Sequence, residues 1–245
     1  MWWFAALHAN LLTLHRLTAV PEDGERPLLD AGCGTGGLLA RLAATYPERL
    51  VIGLDADPAA CARAVAKSAR PVCAGSVNAL PFADAAFDTI FSADVLCHAG
   101  ADERSALAQF HRVLREGGLL VLNLPAYQWM MSRHDAAVHN VRRYTRAGLA
   151  RLLAAAGFRV IFAGHWNMLL LPIMVLTRKL LPAGSRSPSD VRLYPAPAEA
   201  LCRGITRVET ALLRLGLRLP CGGSVIAVAA KPATPNLAIQ GVGDA

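Results

Sequence analysis

Two carboxylates, Asp30 and Asp55, stand where an α/β chain would meet a ligand. Asp30 opens the run Asp30-Ala31-Gly32-Cys33-Gly34-Thr35-Gly36, and Asp55 closes a second apolar segment, Leu50-Val51-Ile52-Gly53-Leu54, 25 positions later. The apolar Pro27-Leu28-Leu29 reads as the end of a buried strand, and Leu38-Leu39-Ala40-Arg41-Leu42 takes up helical spacing, so the glycines sit at a strand-to-helix crossover. Glycine there adopts positive φ and lets backbone approach a ligand, while the amides of the new helix attract negative charge. An acid at the tip of the second strand suits the two hydroxyls of a ribose. A further set of groups lies at 132–145, where Asp135 and His139 fall at i and i+4 if residues 133–143 are helical. That spacing predicts an imidazole oriented by a carboxylate, able to take a proton from an attacking hydroxyl or amine. His134 points elsewhere on such a helix, although a bent loop would bring both imidazoles inward. The alternative for either histidine is a surface network or a cap for the following helix.

The glycine spacing lacks the Gly-Lys-Ser/Thr of a phosphate-binding loop. A carboxylate at Asp30 would repel a pyrophosphate but suits the ammonium of an amino acid, which favours S-adenosylmethionine over a dinucleotide. From these residues outward the chain resembles the class I S-adenosylmethionine-dependent methyltransferases of the small-molecule type, over roughly residues 25–166 with a last strand at 224–231. The resemblance runs through Asp30 to Gly36, Asp55, the adenine-side loop Gly75 to Phe82, the strand and exit Phe87 to Leu96, and the turn and strand Val113 to Leu122. It implies cofactor contacts at Asp30, Gly32, Cys33, Gly34, Gly36, Asp55, Ala56, Ser76, Val77 and Ser92, with the Cys33 side chain structural within the turn. Ser76 departs from the family, which usually has an Asp there to accept the adenine amino group. A serine hydroxyl can still accept that bond, directly or through water, so weaker adenine recognition is expected. His98, at the exit of the fourth strand, is a further base candidate because this position commonly borders the methyl group in similar enzymes. The Trp2-Trp3-Phe4 start and the stretch Ser132-x-His134-Asp135, His139 and Arg142-Arg143-Tyr144-Thr145 resemble a bacterial methyltransferase-like group, which adds Tyr144 to the catalytic candidates. That group commonly carries an Arg where this chain has Ala5 to His8.

The elements needed to position these residues alternate regularly. Strands are expected at 27–31, 50–55, 71–76, 87–93, 118–124 and 158–165, and helices at 36–46, 58–69, 103–115 and 146–156. This is a doubly wound, Rossmann-like, mostly parallel α/β sheet whose ligands sit at the strands' carboxyl ends. The resemblance makes it seven-stranded with an antiparallel last strand at 224–231. Residues 1–231 are expected to form a single domain, with 1–24 a helical lid or a simple packing helix, 125–145 and 166–220 substrate-cap insertions, and 232–245 a disordered tail. Within the second insertion, 166–177 is apolar and ends in Arg178-Lys179. It is too short to span a bilayer, and Pro172 would kink it, leaving a core helix or an interfacial helix with its basic end near lipid headgroups. Helix 198–216 carries Leu201, Ile205, Val208, Leu212 and Leu215 on one face, after a Pro/Ser/Gly-rich loop at 182–197.

At 54% hydrophobic, 245 residues can bury one full core. The six cysteines are scattered without metal-ligand spacing, as expected of reduced thiols in a cytoplasmic protein. Two His and one Asp at 134–139 likewise lack a metal signature, so no metal is expected. The start of the chain lacks the basic segment and cleavage site of a signal peptide. The net charge of +7 comes from mostly dispersed arginines, which argues against nucleic acid. Local exceptions, Arg142-Arg143 with Arg146 and Arg178-Lys179 with Arg186, favour an anionic substrate or a peripheral membrane contact instead. The expected reaction is in-line displacement of a methyl group onto a small, apolar or amphipathic acceptor. The rival readings are a lipid or polyprenyl-linked substrate at the membrane face, and a cofactor-binding protein repurposed for other chemistry. Acceptor identity and oligomeric state are not legible.

Overall fold

The computed structural model describes residues 1–19, 26–177 and 194–233. Arg178, Lys179, Arg186, residues 182–193 and the tail from 234, for which the sequence carries expectations, lie outside the described residues. A helix, α1 (Trp2–Thr18), precedes the alternation β1 (Leu28–Ala31), α2 (Gly37–Thr45), β2 (Val51–Asp55), α3 (Pro58–Ser68), β3 (Val72–Ala74), β4 (Phe87–Ala93), α4 (Glu103–Val113) and β5 (Leu114–Pro125). Then follow α5 (Arg133–Ala137), α6 (Arg146–Ala155), β6 (Arg159–Trp166), α7 (Leu171–Val175), α8 (Ala196–Arg214) and β7 (Ser224–Ala230). The seven strands form one sheet in the order β3-β2-β1-β4-β5-β7-β6. The first five are parallel, and β7 runs antiparallel to both β5 and β6. This is the Rossmann-like α/β fold, with its crevice where the strand order reverses beside β1.

Each sheet face has its own apolar layer. Leu107 and Phe110 of α4 and Leu149 and Leu153 of α6 bury against one face, together with Leu29, Leu120 and Val225. Leu7, Leu11 and Leu14 of α1, Leu38, Leu39 and Leu42 of α2 and Leu213 of α8 bury against the other. The central strands are covered on both sides, which is why they read as continuous apolar runs rather than alternating ones.

Three elements differ from the sequence reading. The helix expected over 133–143 is only the five-residue α5, opened by a capping box in which Ser132 and Asp135 satisfy one another's backbone amides and ended at Val138. The apolar stretch at 166–177 begins inside β6, turns at Asn167 with φ +61°, and contributes only the short α7, which Pro172 starts. The third difference is at α8, whose apolar stripe faces outward. Its buried residues are Glu199, Thr206, Glu209, Thr210 and Leu213, while Leu201 is 65%, Val208 54% and Leu215 75% exposed. Hydrogen bonding sets that orientation: Glu199 accepts the Trp2 amide at 2.8 Å, Glu209 accepts the Leu169 amide at 2.7 Å, and the Thr210 hydroxyl donates to Asn10 Oδ1 at 2.7 Å. Buried acids must find donors, and the start of α1 and the 167–169 turn supply them. Among the described residues, no helix is long and apolar enough to cross a membrane.

Candidate active site

The crossover after β1 is fixed by its own backbone. Gly32 and Cys33 donate to the Leu54 carbonyl at 2.7 and 2.9 Å, tying the turn to the tip of β2. Gly32 has φ +83°, and a Cβ there would lie 2.2 Å from Val95 Cγ2. Gly36 has φ +78° and would press a Cβ to 2.7 Å from the Ala64 backbone. Both positions exclude a side chain, but for different reasons: Gly32 brings the turn against the loop after β4, and Gly36 seats α2 on α3.

Asp55 is preset by this turn. Its Oδ2 accepts the Gly34 amide at 2.8 Å and its Oδ1 the Asp57 amide at 3.0 Å, so the carboxylate is aimed before any ligand arrives. Asp30 is different. It is 1% exposed, and its Oδ2 has no hydrogen-bond partner. Burial, reinforced by the Asp55 charge and opposed by the Leu39 amide, pushes its carboxyl up to about 7. An orphaned buried carboxylate oxygen is a seat for a cation, and it fits the ammonium expected from the sequence. Cys33 also faces the ligand space, but burial and then the charges of Asp30 and Asp55 raise its thiol to about 12, so it stays neutral and is no nucleophile.

These groups open into a cleft of about 800 Å³ at the carboxyl ends of β1, β2 and β4. Asp30, Gly32, Cys33, Gly34, Asp55, Ala56, Ser76 and Val77 line it. Ser76 Oγ accepts the Asn78 amide at 3.1 Å, which leaves its hydroxyl hydrogen for a ligand. Two expected contacts are corrected. Gly36 does not reach the cleft, because its role is the approach to Ala64, and Ser92 is buried one strand residue below the opening. The wall begins instead at Ala93, Asp94 and Val95. Asp94, absent from the sequence-derived set, has φ +56° and accepts from Asn123 Nδ2 at 2.9 Å, and Asn123 in turn accepts from Trp166 Nε1 at 2.6 Å. Burial raises its carboxyl to about 7 against the opposing influence of Asn123 and Arg143. The other side of the cleft is α1, which contributes Trp3, Phe4, Leu7 and His8. Burial, then Arg41 and Lys67, lower His8 to about 4 and keep it uncharged.

The catalytic candidates separate. His98 and His139 both line the cleft, on loops joined where Ala99 donates to the His139 carbonyl at 3.2 Å. His98 is half-buried, and burial is the main cause of its lowered pKa, with a hydrogen bond to the Asp94 backbone acting the other way. The Asp135–His139 dyad does not form. His139 lies beyond α5 with φ +59°, while Asp135, fully buried, accepts Arg143 Nε at 2.9 Å and Nη2 at 3.1 Å, Asn140 Nδ2 at 3.3 Å and the Ser132 amide at 2.9 Å. Tyr144 is also removed from the candidates: it is buried outside the cleft and donates its hydroxyl to the Leu96 carbonyl at 2.9 Å. His134 is half-buried and does not line the cleft. Among the described residues, no group of three or more His, Cys, Asp or Glu could hold a metal ion.

Asp135 therefore holds the loop rather than a base. Burial alone would raise its carboxyl, but the Arg143 charge, with hydrogen bonds from Arg143, Asn140 and Ser132, keeps it below the usual range. Asp135→Ala strands the buried Arg143 guanidinium and is expected to lower unfolding stability by about 3–5 kcal/mol in a urea titration. A loss below about 1 kcal/mol, with kcat reduced, would restore the dyad.

Residues 29–122 match the family model described as a methyltransferase domain. Over 153 residues the chain is 34% identical to the O-methyltransferase cnsE of Penicillium expansum, covering 58% of this chain and 54% of that one. Over 146 residues it is 35% identical to a malonyl-[acyl-carrier protein] O-methyltransferase of Dechloromonas aromatica, covering 58% and 53%. The chain thus spans about half the length of the curated relatives it matches. Among solved structures, a geranyl diphosphate C-methyltransferase from Streptomyces coelicolor, crystallised with S-adenosyl-L-homocysteine, has the same fold at a TM-score of 0.62 and 16% identity, covering 93% of this chain and 79% of that one. Residues 29–122 thus carry a methyltransferase domain similar to those of the class I S-adenosylmethionine-dependent methyltransferases, on a fold shared with that solved C-methyltransferase.

Proposed function

We propose that this chain is a methyltransferase that carries a methyl group from S-adenosylmethionine to a small, apolar or amphipathic acceptor. The observation that supports it most is the pairing, in one cleft, of a buried acid with an empty acceptor oxygen, Asp30, and an acid already aimed by backbone amides, Asp55. Asp30 takes the aminoacyl ammonium, Asp55 the ribose hydroxyls, and Ala56, Ser76 and Val77 frame the adenine. Gly32 and Gly34 let the backbone come close. When bound, the cofactor supplies a methyl carbon already activated by its sulfonium.

The rest falls to the chain's own side chains. Trp3, Phe4, Leu7 and Val95 give the cleft an apolar wall that excludes water and suits an apolar acceptor. His98, uncharged at neutral pH, takes the proton of an acceptor hydroxyl or amine, and His139 flanks it on the facing loop. Most of the rate gain comes from holding the acceptor in line rather than from the base. We place the enzyme in the cytoplasm, consistent with six free cysteines.

Calorimetry with S-adenosylmethionine, S-adenosylhomocysteine and NADH, followed by transfer of a labelled methyl group into a cell extract, tests the reading. Binding of the first two but not the third, with label passing to an extractable molecule, is the expected result. Binding of NADH alone would end it.

A further inference from the structure

We propose that Asp94 anchors the acceptor and that the acceptor is an apolar amine, held in the cleft as its ammonium. The inference rests on the methyltransferase reading above and adds the chemical class of the acceptor to it. Asp94 is an acid on the cleft wall that neither cofactor binding nor proton transfer uses. It leaves β4 with φ +56°, and its amide donates to the Asn123 carbonyl at 2.8 Å, so its side chain stands on a turn tied to β5. Asn123 is fully buried, and its side-chain amide has one orientation open to it. An indole N–H only donates, so Trp166 Nε1 at 2.6 Å takes Oδ1 and leaves Nδ2 to donate to Asp94 Oδ1 at 2.9 Å. A donor on that oxygen favours the ionised carboxyl. Asp94 Oδ2 accepts from no described residue. Burial pushes the carboxyl up to about 7, and a bound cation would draw it back down.

Charge decides what fits that oxygen. Among the described residues lining the cleft, three are carboxylates, Asp30, Asp55 and Asp94, and one is a permanent cation, Lys67, whose Nζ lies 3.3 Å from Thr35 Oγ1 at the glycine turn. His8 and His98 are kept uncharged mainly by burial. The arginines that follow β5 do not change the balance. Arg143, whose charge reaches Asp94, is bound to Asp135, and Arg142 donates to the Ala101 carbonyl at 3.0 Å and lies 3.5 Å from Glu103. Arg146 does not line the cleft. With Asp30 given to the cofactor ammonium and Asp55 to the ribose, Asp94 is left with an empty oxygen and no cation of its own among the described residues. An alcohol would fill the oxygen and leave the charge, whereas an ammonium answers both. A carboxylate or phosphate acceptor would meet like charge with no arginine to receive it. Trp3, Phe4, Leu7 and Val95 are there for the apolar part of the amine. A protonated nitrogen has no lone pair to attack with, so the proton it sheds goes to His98, four residues on along the same loop, and the base stays the one already assigned.

Calorimetry on the full chain, with and without S-adenosylhomocysteine, tests the assignment with three probes of similar shape: 2-phenylethylamine, 2-phenylethanol and 3-phenylpropanoate. The amine is expected to bind, the alcohol to bind about 30-fold more weakly, the lower end for a charge pair because the cleft is open to solvent, and the carboxylate not to bind. Asp94→Asn keeps the side chain's size and, with its amide oxygen turned to Asn123, its hydrogen bond. In this variant amine binding should fall by about the same 30-fold, to the level of the alcohol, with affinity for S-adenosylmethionine and S-adenosylhomocysteine unchanged. Amine and alcohol bound alike, the carboxylate preferred, no probe bound, or an amine preference that survives in Asp94→Asn would each overturn the assignment. So would a variant that loses S-adenosylmethionine while keeping S-adenosylhomocysteine, since Asp94 would then answer the sulfonium. Failure of S-adenosylhomocysteine to bind the wild type, with the Asp94-dependent amine preference intact, would support the amine site and sink the cofactor reading alone.

Discussion

Asp30→Asn is expected to lose S-adenosylmethionine binding and, at the same time, to stabilise the ligand-free protein. The carboxylate is buried with one oxygen unpartnered, so the folded chain tolerates its charge poorly and raises it to about 7. A carboxyl whose folded pKa lies above its unfolded value of 3.8 favours the native state fully only below that value, and the contribution is lost as pH rises through about 7. Wild type at pH 8 therefore bears the whole penalty of the ionised group, whereas the amide bears none of it. Thermal unfolding should show the variant ahead at pH 8, at about 2–4 °C per kcal/mol for a chain of this length, and the two proteins level at pH 4. Binding reverses the ranking. Removing one partner of a buried charge pair costs about 2–5 kcal/mol, roughly 30-fold to 4000-fold in Kd. The same titration makes wild-type affinity fall as pH drops below 7, with a proton released on binding, which calorimetry in buffers of different ionisation enthalpy reads directly. Equal affinity of the two proteins at pH 8 would remove Asp30 from the cofactor site.

The crossover side of the cleft was legible in the sequence because its residue types have few other uses in that order. Glycines that must take positive φ, an acid before them and an acid at the next strand tip leave little freedom, and Asp30, Gly32, Gly34 and Asp55 come together on one cleft. Ser92 was misplaced by one position. The opening of the cleft begins at Ala93, the last residue of β4, and a residue count cannot say where a strand stops facing its neighbours and starts facing solvent. Spacing alone failed more instructively at Asp135 and His139. An i, i+4 relation holds only while the helix lasts, and here α5 ends at Ala137, His139 turns away with φ +59°, and Asp135 is taken up by its own helix start and Arg143. At α8 the periodicity was real but its direction was not readable. Apolar spacing defines a face, and whether that face turns inward depended on partners far away in sequence, the Trp2 amide and Asn10 in α1 and the Leu169 amide after β6. The contribution of α1 to the cleft wall was foreseeable only as a lid, since nothing in Trp3, Phe4, Leu7 and His8 names the strands they cover.

With the dyad gone, the proton-accepting role falls on His98, and His98→Gln is expected to lower kcat by about 10²–10⁴ while leaving cofactor affinity unchanged. Three observations favour this histidine over His139. It is half-buried rather than exposed, its lowered pKa keeps it a free base at neutral pH, and it sits at the exit of β4 beside Asp94 on the cleft wall. Asp94 is itself held by Asn123, which Trp166 Nε1 also reaches, so the cleft wall beside His98 is tied by hydrogen bonds from the loop after β4 into β5 and β6. Protonation below the ordinary histidine value of 6.5 should switch the wild type off, so kcat falls on the acid side of that pH, and the limb should vanish in the glutamine variant, which has nothing to titrate there. His139→Gln should raise KM more than it lowers kcat, because an exposed side chain on the cleft wall contacts the acceptor without carrying its proton. The comparison is decisive in either direction: a kcat loss and a missing acid limb in the His139 variant, with His98→Gln near wild type, would exchange the two roles, and two variants that both turn over normally would mean that the acceptor arrives already deprotonated and the cleft works by alignment alone.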